Sequence, residues 1–254
     1  MLLGIDAGNT NTVFAVLEHG EVVRQWRCAT DGARTSDEYF VWLTALMDAS
    51  GLERPDDVVI ACVVPNALYH LKSLCRQYFE LEPLVVGSDA CRLPVAARVD
   101  EGAHVGADRL VNAAAAFALY GGDLIVVDFG TATNFDVVDT DGAYVGGVIA
   151  PGVDLSVKAL HEAAAALPHV GILRPSQVVG RNTRDCMHSG IFWGYLGLIK
   201  GICSDISRER GGRMQIIGTG GLAGLFGTEA GLFDHVNRDL TVFGLSVIHD
   251  FNRI

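Results

Sequence analysis

The chain has 254 residues, half of them hydrophobic, which is enough for one large domain or two small ones with sizeable cores. Its 19 basic and 30 acidic side chains give a net charge of −11, so neither nucleic acid nor an anionic membrane is an expected partner. The six cysteines form no CxxC pair, and their spacing predicts reduced core thiols in a cytosolic protein.

The first predicted element is an apolar strand that leads into the segment GIDAGNTNTVFAV (4–16). Asp6 interrupts the apolar run, which argues against a signal peptide. The sequence contains no run of about 18 uncharged apolar residues, so no membrane span is expected. Glycine lets a ligand approach the backbone closely, and successive N–H groups in such a turn can bind an anion. Because a carboxylate repels phosphate unless a cation lies between them, the segment predicts a phosphate site at which Asp6 holds or orients magnesium.

Four further elements complete the first half before residue 100. TSDE (35–38) is a capping box and predicts a helix up to Gly51. A buried strand (56–64), a helix (66–79) and a second strand (83–87) follow.

The segment VGADRLVNAAAAF (105–117) predicts an alanine-rich helix with Asp108 and Arg109 in its first turn. An aspartate at this place is explained by the helix dipole alone. An arginine is less favourable there, which points instead to a ligand. A functional interpretation is that Arg109 binds an anionic substrate and Asp108 accepts a hydroxyl proton from it.

The second half begins with a repeat of the opening pattern. IVVDFGTATNFDVVDTDGAYV (125–145) matches residues 3–23 without a gap at an offset of 122, so that Asp6 falls on Asp128 and Gly8 on Gly130. Coincidence between two ordinary hairpins is one explanation, and duplication is the other. Duplication predicts two similar α/β lobes that face each other across a cleft, with a boundary in 100–124.

The remaining elements alternate in the same way. Helices are predicted at 153–166, 189–210 and 241–251, and a strand at 213–221 leads into a glycine turn with a helix from Leu222. This alternation indicates mixed sheets covered by helices. The turn GTGGLA (218–223) lies too near the C-terminus for a dinucleotide-binding unit, so it either admits the adenosine of a nucleotide or merely joins strand to helix. No lysine follows a glycine, which excludes a P-loop.

Seven motifs together resemble the type III pantothenate kinases, within the acetate and sugar kinase/Hsp70/actin superfamily. They are DAGNTNTVF (6–14), WR with RTSDEY (26–39), GADRLVNA (106–113), VVDFGTATNFD (126–136), GGVIAPG (146–152), RNT (181–183) and IIGTGG (216–221). The resemblance implies an α/β fold of two ribonuclease H-like lobes, an actin-like ATPase duplication, with mixed sheets flanked by helices and a cleft between them. The lobes would span 1–115 and 116–254.

The resemblance also implies the reaction. The chain would phosphorylate pantothenate to 4'-phosphopantothenate with ATP, the first step of coenzyme A biosynthesis, as a cytoplasmic homodimer. Two alternatives stay open: another small-molecule kinase of the superfamily, or a non-catalytic nucleotide-binding accessory or regulatory protein.

Carried over onto the matching positions, the family's chemistry makes Asp108 the catalytic base. Asp6 would lie near Mg²⁺ or Mn²⁺, and Asp128 would bind K⁺ or NH₄⁺. The implied ATP-binding residues are Asp6, Ala7, Gly8, Asn9, Thr10, Asn11, Thr12, Val13, Thr131, Gly218, Gly220 and Gly221. The implied pantothenate-binding residues are Gly106, Ala107, Asp108, Arg109 and Thr183, of which Thr183 belongs to a dimer interface in the family.

Two positions depart from the family pattern just before the GADR motif. Gly102 stands where the family usually has proline, and Val99 stands where it often has a substrate-contacting tyrosine. We therefore expect a somewhat different grip on the substrate.

Overall fold

A computed structural model describes residues 1–164 and 167–253 of the chain. It consists of two units. The first contains Met1–Tyr120 and the segment that begins at Leu240, and the second contains Gly121–Asp239. The last helix therefore belongs with the first unit, whereas the predicted lobes divided the chain once, between residues 115 and 116.

The first unit contains a five-stranded mixed sheet in the order β3-β2-β1-β4-β5. Its strands are β1 (Leu2–Ala7), β2 (Asn11–Glu18), β3 (Glu21–Ala29), β4 (Asp57–Cys62) and β5 (Leu84–Val85). The central strand β1 is antiparallel to β2 and parallel to β4. Asp6 pairs with Ala61 near the carboxyl ends of β1 and β4, and Leu2 pairs with Asp57 at their amino ends.

The helices on this sheet follow local sequence signals with one exception. The predicted capping box is confirmed: α1 (Ser36–Ala49) begins after Thr35, whose N–H donates to the Glu38 carboxylate at 2.8 Å while its side chain accepts the Glu38 N–H. The helix predicted at 66–79 is instead α2 (Pro65–Leu74) followed by a π-helical turn, Cys75–Phe79. The wider turn leaves both Cys75 and Phe79 in the core.

The alanine-rich helix α3 (Ala107–Tyr120) packs against the last helix, α7 (Leu240–Asn252). The small side chains permit close approach, since a Cβ atom on Gly244 would lie only 2.4 Å from the Val111 carbonyl oxygen. The Thr241 hydroxyl donates to Asn112 Oδ1 at 2.7 Å, and Asn112 is fully buried. This packing holds the helix whose first turn carries Asp108.

The second unit repeats the strand arrangement, with the order β10-β9-β6-β7-β8. Its elements are β6 (Leu124–Phe129), β7 (Ala132–Val138), β8 (Tyr144–Pro151), α4 (Val153–Ala163), α5 (Thr183–Glu209), β9 (Gln215–Gly220), α6 (Ala223–Phe226) and β10 (His235–Val236). As in the first sheet, the strand that ends in the aspartate is antiparallel to the next strand and parallel to a later one. The predicted duplication therefore has a matching topology in both units.

Three element boundaries in the second unit differ from the predictions. Helix α5 begins six residues before 189, because the Asn182 side chain accepts the Asp185 N–H and caps it. The helix from Leu222 is a single turn, and strand β10 was not predicted. The predicted helix 153–166 ends at Ala163, and residues 165 and 166 lie outside the described residues.

The two aspartate turns differ by one residue in length, although the sequence match has no gap. In the first unit Asp6 pairs with Val13 and the turn is closed by the Gly8 N–H on the Asn11 carbonyl oxygen. In the second unit Asp128 pairs with Asn134, and the Gly130 N–H reaches the Ala132 carbonyl oxygen. The first turn is therefore the wider one and offers more backbone N–H groups to a ligand.

Candidate functional site

The first candidate cluster lies at the carboxyl end of β1. Asp6 is partly exposed, and Asn9, Thr10 and Asn11 are exposed in the turn that follows. The Thr30 N–H donates to the Thr10 carbonyl oxygen at 3.0 Å and fixes this turn to the end of β3. Backbone N–H groups in such an exposed turn can bind an anion, and phosphate binding here stays a prediction.

Two of the predicted ATP-binding residues face the protein rather than solvent. Thr12 is fully buried, and its hydroxyl lies 2.8 Å from the Thr30 hydroxyl. Val13 is half-buried within β2, between Asp6 on β1 and Arg27 on β3. In this structure both residues stabilise the strands that carry the turn, while Ala7 is a buried residue of β1.

The second cluster is the start of α3, and it lies at the same edge of the first sheet. Asp108 and Arg109 are half-buried, and Asp108 Oδ1 accepts the Arg109 N–H at 2.9 Å. A Cβ atom on Gly106 would lie 2.6 Å from that oxygen and 3.8 Å from Val63, so glycine leaves room for the carboxylate in this orientation. The Val63 N–H in turn donates to the Ala7 carbonyl oxygen, which connects this cluster to the Asp6 turn.

Cys62 shows how near the Asp6 carboxylate lies to the end of β4. Burial raises the pKa of the Cys62 thiol, and the negative charge of Asp6 contributes to the increase. The thiol remains protonated at neutral pH and donates to the Val64 carbonyl oxygen at 3.2 Å. It thus acts as a small neutral neighbour of Asp6. From the sequence, Cys62 was predicted only to be a reduced core thiol, like the other five cysteines.

The loop before α3 contains the two departures from the family pattern. Gly102 has a φ of +79°, which proline cannot adopt because its ring fixes φ near −65°. A proline at position 102 would therefore prevent the backbone conformation that this loop adopts.

The third cluster joins Asp128 to the glycine turn after β9. The parallel pairing of β6 with β9 places Asp128 opposite Thr219, and Phe129 opposite Gly220. Gly220 has a φ of +85°, and a Cβ atom there would lie 2.6 Å from Asp128 Oδ1 and 2.6 Å from the Phe129 carbonyl oxygen. The Gly221 N–H donates to that same carbonyl oxygen at 3.1 Å. The GTGG turn and the aspartate turn therefore form one cluster within the second unit.

Two further glycines support this cluster. A Cβ atom on Gly218 would lie 2.9 Å from the Phe233 ring, so Gly218 permits packing behind β9. A Cβ atom on Gly152 would lie 2.2 Å from the Thr131 carbonyl oxygen and 2.8 Å from that of Gly130. Gly152 was noted in the sequence only as part of the motif GGVIAPG. The structure shows that it supports the turn in which Thr131 is exposed.

Thr183 lies apart from the other candidates of the second unit, in the first turn of α5. It is exposed at the mouth of a cavity of about 390 Å³ that is otherwise mainly apolar. The cavity walls include Leu160, Leu167, Met187 and Ile191.

The donor sets determine which metals fit. Among residues 1–164 and 167–253, no group of three or more His, Cys, Asp or Glu side chains could hold a metal ion. Magnesium bound with a nucleotide needs only one or two carboxylates beside phosphate oxygens and water, so a single carboxylate such as Asp6 fits it. Within the described part of the chain, no helix has the length and apolar composition that crossing a bilayer requires.

Comparison with known proteins agrees with this architecture. The chain is similar to a protein described as a 2-dehydro-3-deoxygalactonokinase from Sinorhizobium meliloti, with a TM-score of 0.57, 12% identity, and coverage of 99% of this chain and 96% of that one. The fold is that of the actin-like ATPases and sugar kinases, with two α/β units that each carry a five-stranded mixed sheet.

A family model described as type III pantothenate kinase matches residues 2–205. Type III pantothenate kinases of Cereibacter sphaeroides and Dinoroseobacter shibae are 56% and 58% identical to this chain, over 100% of it and 99% of each relative. The chain belongs to the type III pantothenate kinase family. The reaction of that family is the ATP-dependent phosphorylation of pantothenate in coenzyme A biosynthesis, and such kinases use ATP together with a divalent metal.

Proposed function

We propose that this chain transfers the γ-phosphoryl group of ATP to the primary hydroxyl of pantothenate, with Asp108 as the base. One observation carries this assignment: the Asp108 carboxylate lies in a space that Gly106 keeps free, at the same sheet edge as the Asp6 turn. The carboxylate is fixed at one oxygen by the Arg109 N–H and is only half-buried. Its other oxygen is therefore placed to accept a proton from a bound alcohol.

The remaining pantothenate contacts in the proposal come from Gly106, Ala107, Arg109 and Thr183. Arg109 binds the substrate carboxylate, because a guanidinium can donate two parallel hydrogen bonds to it. Thr183 contacts the substrate from the dimer interface. The exposed position of Thr183 beside an apolar cavity is compatible with that role.

ATP is bound in this proposal by residues of both units. The turn 6–13 of the first unit binds the phosphates, and Thr12 and Val13 contribute by holding β2 against its two neighbouring strands. In the second unit, Thr131 and the glycines 218, 220 and 221 are the proposed nucleotide-binding residues. Phosphoryl transfer demands mainly positioning and charge neutralisation, and turns built from small residues provide the positioning.

Asp6 holds Mg²⁺, or Mn²⁺, in part through water, and Asp128 binds K⁺ or NH₄⁺. When bound, these cations neutralise charge on the phosphoryl oxygens. The exposed phosphate turn beside Asp6 supports the first assignment. The second is supported by Phe129, whose carbonyl oxygen faces the Gly220 position together with Asp128 Oδ1.

The function is tested by measuring ADP release with and without pantothenate. Pantothenate-dependent release is expected, and a panel of sugars, sugar acids and N-acetylhexosamines is expected to give none above background. Release with one of those acceptors alone would identify another small-molecule kinase. Nucleotide binding without turnover on any acceptor would identify an accessory or regulatory protein.

The assignment of Asp128 predicts a requirement for potassium or ammonium. The rate in either salt is expected to exceed that in sodium by about tenfold, which corresponds to ~1.4 kcal/mol of transition-state stabilisation. Asp128→Asn should remove this preference, whereas Asp123→Asn, at the residue just before β6, should keep it. Equal rates of ADP release in the three salts would contradict the assignment.

We further propose a homodimer that uses the second unit, in the cytoplasm. Strand β8 is an edge strand, and its Ile149 side chain is 65% exposed. Several other large apolar side chains of this unit are also exposed, namely Val148, Leu155, Leu160, Leu173, Val178 and Val179. An exposed apolar edge of this kind favours association. All six cysteines are free thiols, as expected in a reducing compartment.

Ile149→Asp is expected to convert the dimer into a monomer, because a buried unpaired carboxylate opposes association. Light scattering after size-exclusion chromatography measures the mass directly. Val41→Asp, at a 68% exposed apolar position on α1, is the matched control and should leave the mass unchanged. A wild-type chain that elutes as a monomer at micromolar concentration would contradict the proposal.

A further inference from the structure

A cavity of about 520 Å³ lies in the first unit at the amino end of β4. Asp57, the first residue of β4, lines it and pairs with Leu2 on β1. The Asp6 turn begins five residues further along these strands, which at about 3.3 Å per residue is roughly 15 Å away. The cavity is therefore separate from the proposed phosphate site.

Two carboxylates and two permanent cations line this cavity, and they differ in how they are paired. Its two carboxylates are engaged: Glu82 accepts two hydrogen bonds of 2.6 Å from Arg76, and Asp57 contacts His249 Nε2 at 2.8 Å. Its two permanent cations, Lys72 and Arg253, form no salt bridge within 4.0 Å among the described residues, although the charge of Lys72 helps to lower the pKa of Glu82. Asp56 lies near Arg253 but is bound by the amino terminus at 2.6 Å. Lys72 and Arg253 are therefore the two charges of this cavity with which an added anion can pair directly.

The remaining lining is mainly apolar, with Ser88, His249 and Asn252 as its polar members. Leu68, Pro83, Leu84, Val85 and Ala90 form the walls. The Asn252 side chain donates to the Arg92 carbonyl oxygen and accepts the Arg92 N–H, both at 2.8 Å, so the end of α7 is fixed to the loop beside the cavity. Buried His249 fixes the same helix to β4. The site is therefore formed before any ligand arrives, and its volume is that of typical small-molecule sites.

We propose that this cavity binds a small organic anion with an apolar body, a carboxylate or a phosphate monoester. The anionic group pairs with Lys72 and Arg253, and the apolar body packs on Leu68, Leu84 and Val85. A neutral ligand would leave both cations unpaired. Because the site is remote from the Asp6 turn, its ligand does not compete with the nucleotide.

Calorimetry with hexyl phosphate on the full chain tests this proposal, with hexanoate as the carboxylate probe and hexanol as the uncharged probe. Saturable binding of hexyl phosphate or hexanoate at one site per chain, unchanged by saturating ADP, is the expected result. Whichever of the two binds more tightly identifies the preferred anionic group. Hexanol should show no saturable binding. Displacement of the probe by ADP, or equal binding of hexanol, would overturn the proposal.

Variants locate the bound probe. Lys72→Gln and Arg253→Gln should each weaken hexyl phosphate binding by about tenfold, as expected for the loss of a charge-assisted hydrogen bond. Lys158→Gln, at an exposed lysine paired with Glu162 on α4, should have no effect. Leu84→Trp keeps both charges, fills the cavity and should abolish binding. Unaltered affinity in these three cavity variants, each checked for folding by circular dichroism, would place the probe elsewhere and refute the site.

Discussion

Asp108→Asn is expected to lower kcat by about 10²–10⁴, the usual range for loss of a general base, while nucleotide binding persists. The amide keeps an oxygen that can accept the Arg109 N–H, so the start of α3 should be unchanged. What is lost is the carboxylate that accepts the proton from the attacking hydroxyl. Steady-state kinetics with pantothenate, together with calorimetry of ADP binding, measures the two effects separately.

The control for this substitution must address the helix dipole, because an aspartate in the first turn stabilises a helix wherever it occurs. Asp154 is an exposed aspartate in the first turn of α4. Asp154→Asn removes the same dipole contact and should leave kcat within about threefold of the parent, a change below 1 kcal/mol. If Asp108→Asn behaves like Asp154→Asn, Asp108 is not the base.

The predictable part of the fold is the part that local sequence signals encode. The capping box at Thr35 and Glu38 located the start of α1, because both hydrogen bonds form between residues three apart. The two aspartate turns were visible because each combines an apolar strand, an aspartate and a glycine within a few residues. Local signals failed where the tertiary environment decided, as in the π-helical turn at Cys75–Phe79.

The contacts between the candidate site residues depend on distant strand pairing. Asp128 and Gly220 are more than 90 residues apart in the chain, and only the parallel pairing of β6 with β9 brings them together. The approach of Gly152 to Thr131 likewise depends on the return of β8 along β7. No spacing rule in one sequence predicts which glycine will lie against which turn.

The turn length in the second unit shows a different limit of the sequence. The repeat aligns without a gap, yet the strand pairing differs by one residue. Asp6 on β1 pairs with the residue seven positions later on β2, whereas Asp128 on β6 pairs with the residue six positions later on β7. The turn after Asp128 is one residue shorter, and the connection from β7 to β8 is one residue longer before Gly142. Because these two changes cancel, the sequence alignment shows neither of them. An ungapped alignment of the two repeats therefore did not predict that the turns after Asp6 and Asp128 differ in length.

Gly220→Ala is expected to lower the melting temperature by about 5–10 °C and to abolish most of the kinase activity. Two effects combine at this position. Alanine at a φ of +85° costs roughly 1–2 kcal/mol, and its Cβ atom would meet both Asp128 Oδ1 and the Phe129 carbonyl oxygen at 2.6 Å. Since the Phe129 backbone cannot move without disturbing the β6–β9 pairing, we expect a further 1–3 kcal/mol from overpacking.

Gly211→Ala separates these two effects. Gly211 has the same φ of +85°, but a Cβ atom there would meet nothing within 4 Å. It should therefore show only the conformational cost, with a smaller decrease in melting temperature and normal kinetics. Differential scanning calorimetry and the KM for ATP are measured for both variants. Equal behaviour of the two would mean that the contact between residue 220 and Asp128 contributes nothing to stability or catalysis.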